Sequence, residues 1–153
     1  MVYNLINTIL FLLLLFLTAI VPSYLFLEPS PLTNYSGLLI AAVGIFVIKR
    51  AFRNYNTLGF IGLKKEESQE LKTTGLQAKI RHPLYSGTIL LFIGYVLFNP
   101  MLTSLVVLLA LIVYLPFGIY WEEKKLIATY GNDYLEYKQK VPALFPRLKF
   151  NRN

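Results

Sequence analysis

The chain has 153 residues, of which 56% are hydrophobic and only 15% charged, with mean hydropathy +0.54 and a formal net charge of +7. So little polar surface excludes a soluble globule of this size, and the length holds one domain, 1–153, with its tails. The absence of cysteine excludes disulfides and thiolate chemistry, and a lone histidine argues against a zinc centre, so no metal is expected.

The first predicted element is the apolar run Leu5–Leu27, whose 23 residues at ~1.5 Å each suffice for a ~30 Å hydrocarbon core. No basic segment precedes it and no small-x-small site closes it, so it reads as a retained span rather than a signal peptide. Pro22, Pro29 and Pro31 make 22–35 an extended outer loop. A second span follows at about Tyr35–Phe52, where Gly37, Ala41 and Gly44 let a neighbouring helix approach closely. The polar stretch 54–82 comes next, with Thr73-Thr74-Gly75 as a turn leading into an ordered loop. Leu84–Phe98 is a short third apolar run, Asn99-Pro100 forces a reversal, and Met101–Trp121 is a fourth span that closes a helical hairpin. In the third run Gly87 and Gly94 share one face, which favours close helix contact. Pro116 and Gly118 should loosen the last turns of the fourth. Within the tail 122–153, Asn132–Lys140 is an amphipathic helix capped by Asn132, with Tyr134, Tyr137 and Val141 lying on the membrane or covering a pocket.

Placement of charge orients these elements. All fifteen Lys and Arg fall at Lys49 or later, eight of them from Lys49 to Arg81 and seven from Lys124 onward. Short cytoplasmic segments are enriched in this way, so both termini, the 54–82 loop and the tail belong on the cytoplasmic side of a multi-pass protein. The basic surface suits anionic lipid headgroups, and no module for nucleic acid accompanies it. The fold expected is all-α and integral to the membrane, with about four transmembrane helices, a last helical hairpin, a cytoplasmic amphipathic helix and no Rossmann domain.

Two stretches carry chemistry. Arg81-His82-Pro83-Leu84-Tyr85-Ser86-Gly87 holds the lone histidine where basic sequence turns apolar. Proline suits the first turn of a helix, and the unpaired N–H groups there, beside Arg81 and His82, suit an anionic group. An ordinary membrane-entry motif, with Arg81 on headgroups and Tyr85 in the aromatic belt, fits these residues equally well. Glu122 and Glu123 end the fourth span, beside Trp121 and ahead of Lys124 and Lys125. Carboxylates at that depth are costly and mark function, although the lysines also fit an interfacial charge cluster.

Together with Thr73-Thr74-Gly75 and Tyr130-Gly131-Asn132-Asp133-Tyr134-Leu135-Glu136-Tyr137-Lys138-Gln139-Lys140-Val141-Pro142, these motifs resemble the isoprenylcysteine carboxyl methyltransferase family from about Leu71 to Pro146. Related membrane methyltransferases of phospholipid amines and small thiols share much of this half. The resemblance implies a methyltransferase that uses S-adenosyl-L-methionine, leaves S-adenosyl-L-homocysteine, and acts on a lipophilic or lipid-modified substrate such as an isoprenylcysteine-like carboxylate. It places Leu71, Gln77, Arg81, His82, Pro83, Leu84, Tyr85, Gly87, Glu122 and Glu123 around the cofactor, with the 69–77 loop closing over it. No residue is assigned to acid–base catalysis; Arg81, His82 and Glu122 position. An ionised carboxylate needs no general base, whereas an amine or thiol acceptor would need His82 or a glutamate. This chain departs from the family at Gly118, where prenylcysteine enzymes carry an arginine taken to grip the substrate carboxylate, and at Gln69 and Gln77, which replace a histidine and an aromatic. Phospholipid-amine or small-thiol methylation, and a non-enzymatic four-helix membrane protein, are the alternatives.

Overall fold

The computed structural model describes residues 24–53 and 71–147, and Phe16. The expected first span therefore falls outside the described residues up to Ser23 (Phe16 apart), as do 54–70 and the terminus beyond Arg147. Among the described residues every named element is a helix: α1 Pro31–Phe52, α2 Pro83–Phe98, α3 Leu102–Tyr130 and α4 Asn132–Lys140.

Helix α1 starts four residues before the expected Tyr35, because Ser30 closes a capping box. Its hydroxyl accepts from the Thr33 amide at 3.1 Å, Thr33 Oγ1 accepts from the Ser30 amide at 2.9 Å, and Pro31 occupies the first turn. The connection ahead of it is accordingly shorter than expected. Tyr24–Leu27, placed at the end of the first span by hydropathy, is not helical. Phe26 donates to the Pro100 carbonyl and Leu102 to that of Tyr24, which ties this segment to the Asn99-Pro100 reversal.

Helices α1 and α2 run antiparallel with their backbones nearly touching. A Cβ at Gly44 would come within 2.7 Å of Leu91 N and Gly87 O, and one at Gly94 would collide with the backbone of Ala41 and Gly37. The small residues of the second and third runs thus serve each other, and glycine is required because backbone stands where a side chain would begin. Helix α2 starts at Pro83, as its proline dictates, and turns back at Asn99 into α3.

Helix α3 has 29 residues, about 44 Å at ~1.5 Å per residue, and continues well beyond the expected end at Trp121. The apolar sequence ends where Glu122 and Glu123 begin, but Glu, Lys, Leu and Ala are good helix formers, so polarity changes without breaking the helix. Pro116 lies inside it, exposed, and does not end it. The stop is Gly131 at φ 57°, ψ −128°, a conformation suited to glycine, which serves as C-cap of α3 and N-cap of α4. Asn132 is therefore the first residue of α4 rather than its cap, and makes no capping side-chain bond.

Helices α1 and α3 are long and apolar enough to cross a membrane, yet only 11% and 22% of their most apolar windows are buried within the protein. A soluble core helix buries that surface against protein; the exposed apolar surface of these two helices suits lipid instead, as in a membrane protein. Helix α4 behaves differently. Tyr134, Tyr137 and Val141 do not face lipid; they are buried with Leu71, Leu126, Ile127 and Tyr130, folding α4 back on the polar end of α3.

Candidate functional site

The two chemical stretches, forty residues apart in sequence, meet at the polar end of α3. His82 is almost fully buried between both glutamates: its Nε2 lies 3.3 Å from Glu123 Oε1 and its Nδ1 3.4 Å from Glu122 Oε2. The Tyr85 ring stacks on the imidazole at 5.6 Å between centroids and 27° between planes. Pro83 starts α2 one residue after His82, so the imidazole is anchored at the helix entrance.

The carboxylates are not equivalent. The Glu123 side chain is 6% exposed and has three side-chain partners: the cations Arg81, through Nε at 2.9 Å and through Nη2, and Lys138, through Nζ at 2.6 Å on Oε2, and the imidazole of His82. Glu122 is 31% exposed, with His82 as its one ion-pair partner among the described residues. Glu123 lies beyond the membrane-crossing part of α3. Burial pushes its carboxyl up, but hydrogen bonds from Lys138, Arg81 and His82 outweigh that and hold it lowered to about 2. Burial also pushes the Tyr137 hydroxyl up to about 12, and raises that of Tyr134.

A strap formed by the end of α4 and the residues after it holds the entrance of α2 in place. The Arg81 and His82 amides donate to the carbonyls of Pro142 and Ala143 at 2.8 and 2.9 Å. Arg81 Nη1 donates to the Lys138 and Val141 carbonyls, Ser86 Oγ to Leu144, and the Tyr137 hydroxyl to the Gln77 carbonyl at 2.6 Å. The α2 entrance, read from sequence as open to an external anion, thus has two of its flanking amides and its guanidinium engaged by this chain's own carbonyls and by Glu123.

The expected site residues are brought together unevenly. Arg81, His82, Tyr85, Glu122 and Glu123 form one cluster, with Pro83 and Leu84 in the first turn beneath them. Gly87 faces Gly44 and Ile48 of α1 instead, where it sets helix spacing. Leu71 packs on the α4 cluster, and buried Gln77 is held by Tyr137, so the described part of the 69–77 loop lies against α4. Gly118 sits near Tyr114 and Tyr85: a Cβ there would lie 3.4 Å from the Tyr114 ring and 3.6 Å from the Tyr85 hydroxyl. Lys138 was missed by sequence reasoning, although it carried a signal. It lies four residues after Tyr134 and three before Val141, at the exposed edge of the buried stripe, where a lysine can reach a carboxylate beneath it.

A cavity of about 210 Å³ opens between α1, α2 and the strap, bordered by Ser86 one turn after His82, by apolar Val47, Leu90, Leu144 and Phe145, and by Lys79.

Comparison with known proteins adds an independent line. Residues 32–133 match the family model described as phospholipid methyltransferase. The protein-S-isoprenylcysteine O-methyltransferase of Homo sapiens is 34% identical over 124 residues, covering 76% of this chain and 42% of that protein. Protein-S-isoprenylcysteine O-methyltransferase B of Arabidopsis thaliana is 31% identical over 114 residues, 72% of this chain and 54% of its own. Methanethiol S-methyltransferase 1 of Bradyrhizobium diazoefficiens is 29% identical over 117 residues, 74% of this chain and 40% of its own. The chain spans about half or less of the length of these relatives.

Proposed function

The chain belongs to the phospholipid methyltransferase family, and from that premise we propose that it transfers a methyl group from S-adenosyl-L-methionine to a lipophilic acceptor at the polar mouth of the α2–α3 hairpin. The observation that carries this reading is the buried imidazole of His82 set between two glutamates, one of them half-exposed. The residues present suit such a donor. Glu122 offers a reachable carboxylate to its ammonium or ribose hydroxyls, and Tyr85 an aromatic face to a cation or purine. When bound, the donor supplies an electrophilic sulfonium methyl. His82 keeps Glu122 and Tyr85 in register; Glu123, already engaged by Arg81 and Lys138, orients His82. Catalysis then consists of positioning and water exclusion.

The acceptor we favour is a carboxylate on an apolar chain, of the isoprenylcysteine-like kind. Both ring nitrogens of His82 face carboxylates, which leaves no free imidazole base, and an ionised carboxylate requires none. The apolar cavity beside Ser86 suits the chain of such an acceptor. A small thiol is the second reading, favoured by Gly118: with Tyr114 and Tyr85 beside it, that position offers no cation to a substrate carboxylate. Four spans, with the termini and this mouth on the cytoplasmic side, complete the proposal.

The test is thermal unfolding of the purified chain with S-adenosyl-L-homocysteine. Ligand at 100 times Kd should stabilise wild type by about 2.7 kcal/mol, and His82→Ala and Glu122→Ala should abolish the shift. No stabilisation of wild type would overturn the reading. Transfer of a radiolabelled methyl group then separates acceptors, since a methyl ester is base-labile and a thioether is not.

A further inference from the structure

We infer that Lys138, on the C-terminal helix, is a positioning residue for His82, acting through Glu123. Lys138, Arg81 and Glu123 close a ring drawn from three parts of the fold. Lys138 Nζ donates to Glu123 Oε2 at 2.6 Å, Glu123 Oε1 receives Arg81 Nε at 2.9 Å, and Arg81 Nη1 donates back to the Lys138 carbonyl at 3.0 Å. The same Oε1 lies 3.3 Å from His82 Nε2. A carboxylate held at both oxygens has one rotamer, and that rotamer sets where the imidazole points. Arg81 cannot do this alone, because its bonds to Glu123 all end on Oε1 and leave the carboxylate free to swing about that oxygen. Lys138 fixes the other oxygen from the solvent side, where its own side chain is 43% exposed. In this way α4 sets the geometry of the site through Glu123. The role in methyl transfer rests on the donor-site reading above; the coupling of Lys138 to His82 stands on geometry alone.

Because the chain has one histidine, the imidazole can be observed directly. The full chain, labelled with ¹⁵N-histidine in detergent micelles, gives the two ring-nitrogen resonances of His82 in wild type, Lys138→Met, Lys138→Arg and Lys140→Met. Lys140 is the control, being on the same helix with the same charge but paired to exposed Glu136. S-Adenosyl-L-homocysteine affinity is measured by calorimetry on the same samples. Lys138→Met should move the Nε2 resonance and weaken binding on the order of fivefold, the scale of one partly exposed charge-assisted bond. Lys138→Arg should restore both, and Lys140→Met should change neither. Should Lys138→Met not fold, Lys138→Gln takes its place. Resonances that coincide between wild type and Lys138→Met overturn the inference, whether or not the ligand binds. A moved resonance with no ligand binding in wild type upholds the coupling and overturns the donor-site reading instead.

Discussion

Arg81→Met tests whether the site is held by one buried ion pair. The guanidinium reaches Glu123 through Nε and Nη2 and the Lys138 and Val141 carbonyls through Nη1, with side-chain exposures of 9% for Arg81 and 6% for Glu123. Methionine preserves much of the apolar stem and removes the charge. Breaking a buried pair from one side costs roughly 3–5 kcal/mol, because the remaining charge stays buried. Lys138 still neutralises Oε2 here, so the lower end applies, about 3 kcal/mol. For a chain of this length that corresponds to a Tm about 6–12 °C lower. Adding Glu123→Leu removes the stranded carboxylate, and the double variant should recover about 2 kcal/mol relative to the sum of the singles. Thermal unfolding in detergent measures all three variants, and trypsin cleavage after Lys138 and Lys140 reports release of the strap. A Tm loss under 2 °C for Arg81→Met, or strict additivity in the double variant, would refute the account.

Acid should act through the same carboxylate. Glu123 has its carboxyl lowered from 4.5 to about 2 in the folded chain, so its contribution is complete above pH 4.5 and disappears as pH falls toward 2. At 1.36 kcal/mol per unit it amounts to at most about 3 kcal/mol, and the stability gap between wild type and Glu123→Gln should narrow steadily from pH 5 to pH 3; a constant gap would discard the idea. Gly94→Ala places a methyl group against backbone atoms of α1 that cannot yield, whereas at Gly118 it meets ring atoms at ordinary distance. Gly94→Ala should therefore cost about 2 kcal/mol and Gly118→Ala under about 1, and the reverse order in unfolding experiments would be incompatible with the α1–α2 contact. Tyr137→Phe keeps the ring in its cluster but leaves the Gln77 carbonyl without its 2.6 Å donor. The expected cost is about 1–2 kcal/mol, with faster amide exchange between residues 76 and 82, and unchanged exchange would remove the Tyr137 tether from the picture.

What could be read from the sequence was whatever depends on near neighbours along the chain. Pro83 starts a helix because its ring presets φ, Asn99-Pro100 reverses the chain, and the stripes Gly37, Ala41, Gly44 and Gly87, Gly94 announce a close contact. Hydropathy located the apolar helices among the described residues but blurred their ends. It reports where lipid stops, whereas hydrogen bonding and propensity decide where a helix stops; hence α3 runs through Glu122 and Glu123 to Gly131, and α1 begins at the Ser30 cap. Arg81, His82, Glu122 and Glu123 were recognisable as chemistry-bearing residues, but their division of labour was not. Only the folding of α4 back onto α3 brings Lys138 to Glu123 and carries the strap carbonyls to Arg81, which turns one glutamate into a buried anchor and leaves its neighbour half-exposed. Adjacent residues on a helix point about 100° apart, and which of the two meets the returning chain is decided by packing between segments far apart in sequence.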